Sequence, residues 1–416
     1  MLGPKRLLRL PENLPPLVRW SAFFYLAHLV FQGKIALSEI TGGLALLLLA
    51  WALARRQIRP SVHVLYYPLA LYGIASTISS FVAPRHIHSF GENMLWVKML
   101  IFPTALILFR ELPRMRGLAL YAHAVFVTWA ASDGLVQYVF EGRHDLEHRI
   151  TGTAPHVMTF SGELMPLAIL FAILWIHTRR HWMLVPAALS TVALLLTYTR
   201  SAWLAWVLAM AVVLLFTRPR WIAYAVPVAI LFLTFAPLPI FARFASVFST
   251  KQESNFDRIR MVQAGVEIIR DYPLFGVGPA NIKQLYPLYR MHDAPRYRVP
   301  HLHNNVVQIW AERGIVALVA YVLLLFFFLR ECARAWSGPA RRWAQAGAAV
   351  AVALACAGLF EFNFGDTEVF YLMLDVFALV IASIEVEDPA AGGYAVAQSR
   401  GSAASEPTGG PTPATT

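Results

Sequence analysis

Residues 299–330 read VPHLHNNVVQIWAERGIVALVAYVLLLFFFLR. From Asn304 onward the run is long enough to cross a bilayer, which takes roughly 20 apolar residues. His301, His303, Asn304 and Asn305 stand directly ahead of it. Polar, titratable groups are costly at a membrane edge, so their presence there asks for a role.

Runs of the same kind recur along the chain. They fall near 17–31, 35–54, 62–82, 93–110, 118–140, 157–177, 181–197, 201–217, 221–239, 304–330, 342–362 and 366–386. The 416 residues are 58% hydrophobic and 14% charged, whereas soluble domains run near roughly 45–50% and about 25%. Mean hydropathy is +0.55. The expectation is an all-α, polytopic membrane bundle of about twelve helices. Residues 1–239 would hold nine spans, 240–303 a large and mostly helical loop, and 304–387 the last three spans. The tail 388–416 is rich in Gly, Ala, Ser, Pro and Thr, too polar and small to bury a core, and is expected to be disordered. No internal repeat is visible.

The formal charge of +11 is distributed as topology requires. KRLLR near the N-terminus, RRQIR (55–59), RELPRMR (110–116), TRR (178–180), TRPR (217–220) and RECARAWSGPARR (330–342) lie between apolar runs on one side. By the positive-inside rule that side is the cytoplasm, with both termini on it. In a bacterial inner-membrane protein the large loop then faces the periplasm. Nucleic acid is excluded as the reason for the charge. MLGPKRLLRLPENLPP is too weakly apolar for a cleaved signal peptide, so the first span is expected to serve as the signal. The two cysteines, Cys332 and Cys356, support neither a disulfide framework nor zinc spacing.

The informative cations break the topology rule. Arg200, in LLLTYTRSAWLAW, falls on the periplasmic side, flanked by Tyr198 and Trp203 as in an interfacial belt. The segment NFDRIRMVQAGVEIIRDYP (255–273) reads as a helix with Asn255 as N-cap. Ile259, Val262, Val266 and Ile269 form its apolar stripe, flanked by Met261 and Ile268, opposite Arg260, Gln263, Glu267 and Arg270. Arg258 projects between the apolar groups, with Gly265 leaving space above it. A buried arginine needs an anionic partner, and a ligand is favoured here over an internal salt bridge. Arg85, His86, His88, Arg290, Arg296 and Arg298 add cations on the same side, so this face suits an anion such as phosphate.

If a helix begins near His303, Asn304 or Asn305 can satisfy its first free N–H groups. The positive end of the helix dipole would keep His303 neutral, a state able to accept a proton. His301 has the same exposure and competes for that role. D-x-D is absent, and the periplasmic His and Asp residues show no metal-ligand spacing. No metal and no cofactor are therefore expected.

His303-Asn304, nine residues and then Gly314-Ile-Val-Ala resemble a motif of the O-antigen ligase and polymerase superfamily. TYTRSAW (197–203) resembles that family's periplasmic arginine turn, and DRIRMVQAGVEIIRDYPLFGVGPAN (257–281) its arginine-bearing helix and following turn. EFNFGDTEV (361–369) resembles the acidic turn of the ligases, with Asp366 the better match and Glu361 second. The resemblance covers roughly 190–330 and implies a membrane glycosyltransferase of the GT-C type. A ligase would move a glycan from undecaprenyl diphosphate to a hydroxyl of lipid A–core on the periplasmic face, without metal and with inversion. It also implies His303 as base and Arg200 and Arg258 on the diphosphate, with Asp366 and Glu361 from the acidic turn in support; His301, Asn304 and Arg85 are expected to support the site on the residue reading above. An O-antigen polymerase or protein O-oligosaccharyltransferase would use the same donor. A flippase for the same lipid is a more distant alternative.

Overall fold

The computed structural model describes residues 14–83, 86–92, 95–217 and 253–390. The expected span 221–239, Arg85, the first part of the large loop and the tail from 391 lie outside the described residues. All regular structure among those described is helical.

The bundle begins with α1 (Pro16–Val30), which packs along α2 (Ile35–Ala54), followed by α3 (Tyr66–Val82) and the short α4 (His86–Glu92). The expected span 93–110 is divided into α5 (Leu95–Lys98) and α6 (Ile101–Glu111). Pro103 has no N–H to give to a continuous helix, so it sits in the first turn of a new one. Next come α7 (Pro113–Phe140), α8 (Val157–Thr178), α9 (Leu184–Leu196) and α10 (Arg200–Thr217). The large loop contributes α11 (Glu253–Asp271) and α12 (Ile282–Tyr289). The chain then returns through α13 (Asn305–Arg334), α14 (Arg341–Ala357) and α15 (Thr367–Glu387). Five of these, α2, α8, α10, α13 and α15, are long and apolar enough to cross a membrane. The twelve expected spans are thus matched only in part by length and composition.

α8 and α15 are almost wholly buried and form the centre of the bundle. The two ends of α15 differ in chemistry. At its C-terminal end Arg110 grips Glu385 through Nε (2.8 Å) and Nη2 (2.5 Å), Arg116 donates to Ala382 O (3.3 Å), and Arg342 pairs with Glu387 (2.5 Å). Several cations expected to mark topology are therefore also ion-paired. At its N-terminal end, ~30 Å away at 1.5 Å per residue, Asp366 of the acidic turn occupies the N-cap position without a side-chain capping hydrogen bond.

Midway, Asp375 is fully buried and accepts from Tyr25 Oη (2.8 Å) and Gln32 Nε2 (2.6 Å), with His28 Nε2 at 3.1 Å. This node ties α1 to α15. Asp375→Ala strands those groups, and is expected to cost about 2–5 kcal/mol. The loss should appear as a lower melting temperature of the protein in detergent, with Asp375→Asn milder.

The expected single span 304–330 is broken at Gly314 (φ 79°, ψ 177°) into 305–313 and 315–334. The turn after α11 docks into the break. Val277 N donates to Ala311 O (2.9 Å), Gly278 N to Glu312 O (2.8 Å) and Ile315 N to Pro273 O (3.2 Å). A Cβ at 314 would lie 2.0 Å from Leu274 O, so glycine is required twice over, by space and by its positive φ.

α11 also departs from expectation. Glu253 opens the helix and Asn255 lies inside its first turn, not at the cap. The buried face is Asp257, Met261, Ala264, Gly265, Ile268 and Ile269, while Ile259 and Val266 are exposed. Gly265 leaves no space above Arg258; it lets α13 approach, since a Cβ there would sit 2.4 Å from Val307 Cγ1. Helical periodicity locates apolar faces, but it does not distinguish one that meets protein from one that meets lipid or a cavity.

Candidate active site

His303 immediately precedes the N-cap of α13, and the cap explains its placement. Asn304 Oδ1 accepts from Val307 N (2.9 Å), which fixes the first turn, while Leu302 N donates to Gln308 Oε1 (2.7 Å). Between them His303 is held at φ 51°. A left-handed conformation in a non-glycine residue is strained and persists only where its surroundings impose it.

The same asparagines hold the loop between α14 and α15. Asn304 Nδ2 donates to Leu359 O (2.9 Å) and Asn305 Nδ2 to Asn363 Oδ1 (2.6 Å), while Asn305 N donates to Gly358 O (2.7 Å). That loop presents Glu361, whose Oε2 lies 2.9 Å from His303 Nδ1. A carboxylate on Nδ1 selects the tautomer with the proton there, leaving Nε2 as the proton acceptor. Glu361 lies 3.6 Å from His301 Nε2 and 3.6 Å from Arg258 Nη2. Burial alone would raise the Glu361 carboxyl, but the His303 hydrogen bond and the neighbouring imidazoles and Arg258 outweigh it and hold it below its ordinary range.

Both acidic candidates line the polar cavity, with different partners. Asp366 accepts from Thr159 Oγ1 (2.6 Å) at the start of α15, whereas Glu361 touches the histidines. Arg258 also has the internal partner that the sequence reading disfavoured, because that partner is about a hundred residues away along the chain.

Arg200 opens α10 after a left-handed Tyr198, and is buried. Its Nη2 donates to Asn255 Oδ1 (2.7 Å) and Ser254 Oγ (2.9 Å), which binds the arginine turn to α11. Arg200, Arg258 and His303 together line two cavities. One, of about 390 Å³, is apolar, walled by Leu204, Ile259, Val262 and Phe360. The other, of about 570 Å³, is polar and adds Arg149, His156, Arg296 and Glu361. Arg149, absent from the expected set, donates to Thr197 O (3.5 Å), and Arg296 pairs with Asp257 (3.1 Å). Arg290 and Arg298 do not line either cavity; Arg290 braces its own loop through the His292 and Ala294 carbonyls.

Ligand atoms of His301, His303 and Glu361 all lie within 4.8 Å of one another, an arrangement able to hold a metal ion. Sequence spacing did not expose it, because Glu361 is remote from the histidines. The fit to a divalent ion is nevertheless poor. The guanidinium of Arg258 already faces the same carboxylate at 3.6 Å, and Glu361 Oε2 is engaged by His303.

Burial lowers His301 to about 4 against the pull of Glu361. Unfolded chains bind this proton near pH ~6.5, so as pH is lowered from about 6.5 to about 4 the unfolded state takes up more protons and stability falls. The melting temperature should decline across that window, and His301→Gln should remove part of the slope. The Glu361 contribution is present above its ordinary value of 4.5 and is lost only at lower pH.

Residues 185–322 match the O-antigen ligase family model. The matched segment contains Arg200, Arg258, His301, His303 and Gly314; Glu361, Asp366 and Arg149 lie beyond it. The O-antigen ligase family covers both ligases and polymerases of O-antigen, so glycosyl transfer in lipopolysaccharide assembly is the chemistry to which the segment points. No curated protein matches the chain closely enough to count as a relative.

Proposed function

We propose that this chain is an O-antigen ligase of the bacterial inner membrane, transferring a glycan from undecaprenyl diphosphate to a hydroxyl of lipid A–core at the periplasmic face. The observation that carries this reading is the His303–Glu361 pair at 2.9 Å, bordered by Arg258 and Arg200 where an apolar and a polar cavity meet. Such a junction suits an amphiphile, with the first prenyl units in the apolar cavity, the diphosphate at the arginines and the sugar in the polar one.

In the proposed step His303 Nε2 takes the proton of the acceptor hydroxyl as its oxygen attacks the anomeric carbon. A new carbon–oxygen bond forms while the bond from that carbon to the diphosphate oxygen breaks. The diphosphate leaves with the bonding pair, its developing charge met by the preorganised guanidinium groups of Arg200 and Arg258. Attack opposite the leaving group inverts the anomeric configuration. The proton on His303 then passes to water. Arg258 and Glu361 already neutralise each other in part, so the diphosphate would share Arg258 with the carboxylate that orients the base.

The cationic end of the bundle, around Glu385 and Glu387, supports a cytoplasmic assignment for that end and a periplasmic one for His303. Both termini would be cytoplasmic. The reading is tested by deleting the gene and separating lipopolysaccharide on gels. A ligase predicts core without O-antigen, together with accumulated lipid-linked polymer. Core bearing a single repeat would identify a polymerase instead, and unchanged lipopolysaccharide with altered glycoproteins a protein O-oligosaccharyltransferase. Purified protein should keep its ligation rate in excess chelator; loss of activity restored by a divalent ion would refute metal independence.

A further inference from the structure

A third cavity, of about 680 Å³, adjoins the polar cavity that holds Arg200 and Arg258. Pro300, His301, Phe362 and Gly365 line both and form the wall between them. Its remaining lining is mixed, with Gln308, Thr367 and Tyr371 as hydrogen-bonding groups and Tyr371 and Phe362 as aromatic faces. A size of this order takes a small ligand, and the chemistry suits a saccharide.

The charged groups specify more. Lys98 is offset by Glu39 at 2.7 Å and also donates to Thr367 Oγ1 at 2.8 Å. Glu312 accepts from Ala280 N at 3.0 Å. Glu39 and Glu312 line the cavity as well, so its two cations and two carboxylates balance formally. Arg313 itself is 5% exposed, its Nε donates to Tyr72 Oη at 2.9 Å and its guanidinium lies 5.8 Å from the Tyr72 ring. Among the described residues its Nη1 has no partner and it forms no direct ion pair. A buried guanidinium without an anion is strongly disfavoured, and a phosphate offers acceptors on several sides to a cavity that carries both Arg313 and Lys98.

We propose that this cavity is the acceptor site. It holds a phosphate-bearing saccharide whose phosphate pairs with Arg313 and whose reacting hydroxyl reaches His303 past His301 and Phe362. The proposal rests on the transfer reading above, but it assigns a separate site to the second substrate. Both substrates would then meet at one imidazole from opposite sides of a wall, so neither has to leave for the other to bind. Arg313 is here a binding residue, not a participant in bond making.

The test is equilibrium binding to the full-length protein in lipid nanodiscs, with no donor present. The probes are lipid A–core, the same glycolipid after enzymatic removal of its phosphates, and undecaprenyl diphosphate bearing one glycan repeat. Native protein should bind intact lipid A–core at least tenfold more tightly than the dephosphorylated form. Arg313→Gln should abolish that preference, and Arg200→Gln should leave it in place. A second variant guards against misfolding at the buried arginine. Gly43 lines the cavity, and a Cβ there meets nothing within 4 Å. Gly43→Asp should therefore weaken the intact ligand and spare the dephosphorylated one.

A native protein without phosphate preference, or a preference that survives both Arg313→Gln and Gly43→Asp, would overturn the assignment while leaving the donor site untouched. Arg313-dependent binding of the diphosphate-linked glycan that persists in Arg258→Gln would retain the cavity as an acceptor site and overturn the ligase reading in favour of a polymerase.

Discussion

Replacing His303 with alanine is expected to lower the transfer rate of the purified protein by about 10²–10⁴-fold, the range over which a positioned general base contributes. The donor should still bind, because Arg200 and Arg258 remain. The expected signature is a collapse of kcat with the donor KM nearly unchanged. The left-handed backbone at 303 is as costly for alanine as for histidine, and the contact to Glu361 is lost, so folding has to be checked separately. Its melting temperature serves as the control. Near-normal transfer by a well-folded His303→Ala protein would dismiss the base assignment and transfer attention to His301. Glu361→Gln should fall between, since an amide still orients the ring but no longer stabilises the imidazolium that forms.

The second large effect is expected at Arg258. Arg258→Ala should cost about 10²–10³-fold in kcat, the usual loss on removing one preorganised group from developing negative charge. Arg258→Lys should also be costly, because an ammonium cannot span two phosphate oxygens as a planar fork does. Arg258 faces Glu361 at 3.6 Å, so either loss has two possible origins. A double-substitution cycle separates them. If Arg258 only steadies the carboxylate, Arg258→Lys adds nothing once Glu361 is glutamine. If it meets the diphosphate, the full penalty persists in that background. Steady-state transfer rates for the four proteins provide the answer.

The arginines and His303 were legible in the sequence because each breaks a local rule. Arg200 lies between two apolar runs apart from the basic clusters, Arg258 stands beside the apolar stripe that periodicity predicts, and His303 precedes a long apolar run. Glu361 was nominated only second to Asp366, since two carboxylates five residues apart cannot be ranked by hydropathy. Their partners distinguish them: Thr159 for Asp366, and His303 for Glu361. Arg149 and Arg313 were not singled out at all. Arg149 looks like an ordinary loop arginine and Arg313 like a polar interruption of an apolar run, and only the cavity each lines distinguishes it.

The break at Gly314 follows the same logic. Glycine inside an apolar run is compatible with a straight helix, and only the turn at 273–278, pressing its backbone between 311 and 315, requires otherwise.

By itself the sequence determined what depends on neighbours along the chain: an all-helical membrane bundle, the distribution of its cations, and the residues at which polar groups are too costly to be incidental. Tertiary structure alone decided which of those residues meet. Glu361 reaches His303 across 58 positions, and Arg200 reaches Asn255 across 55. The physical reason is that a hydrogen bond is settled within about 3 Å, and helical periodicity has no information about which helix will stand at that distance.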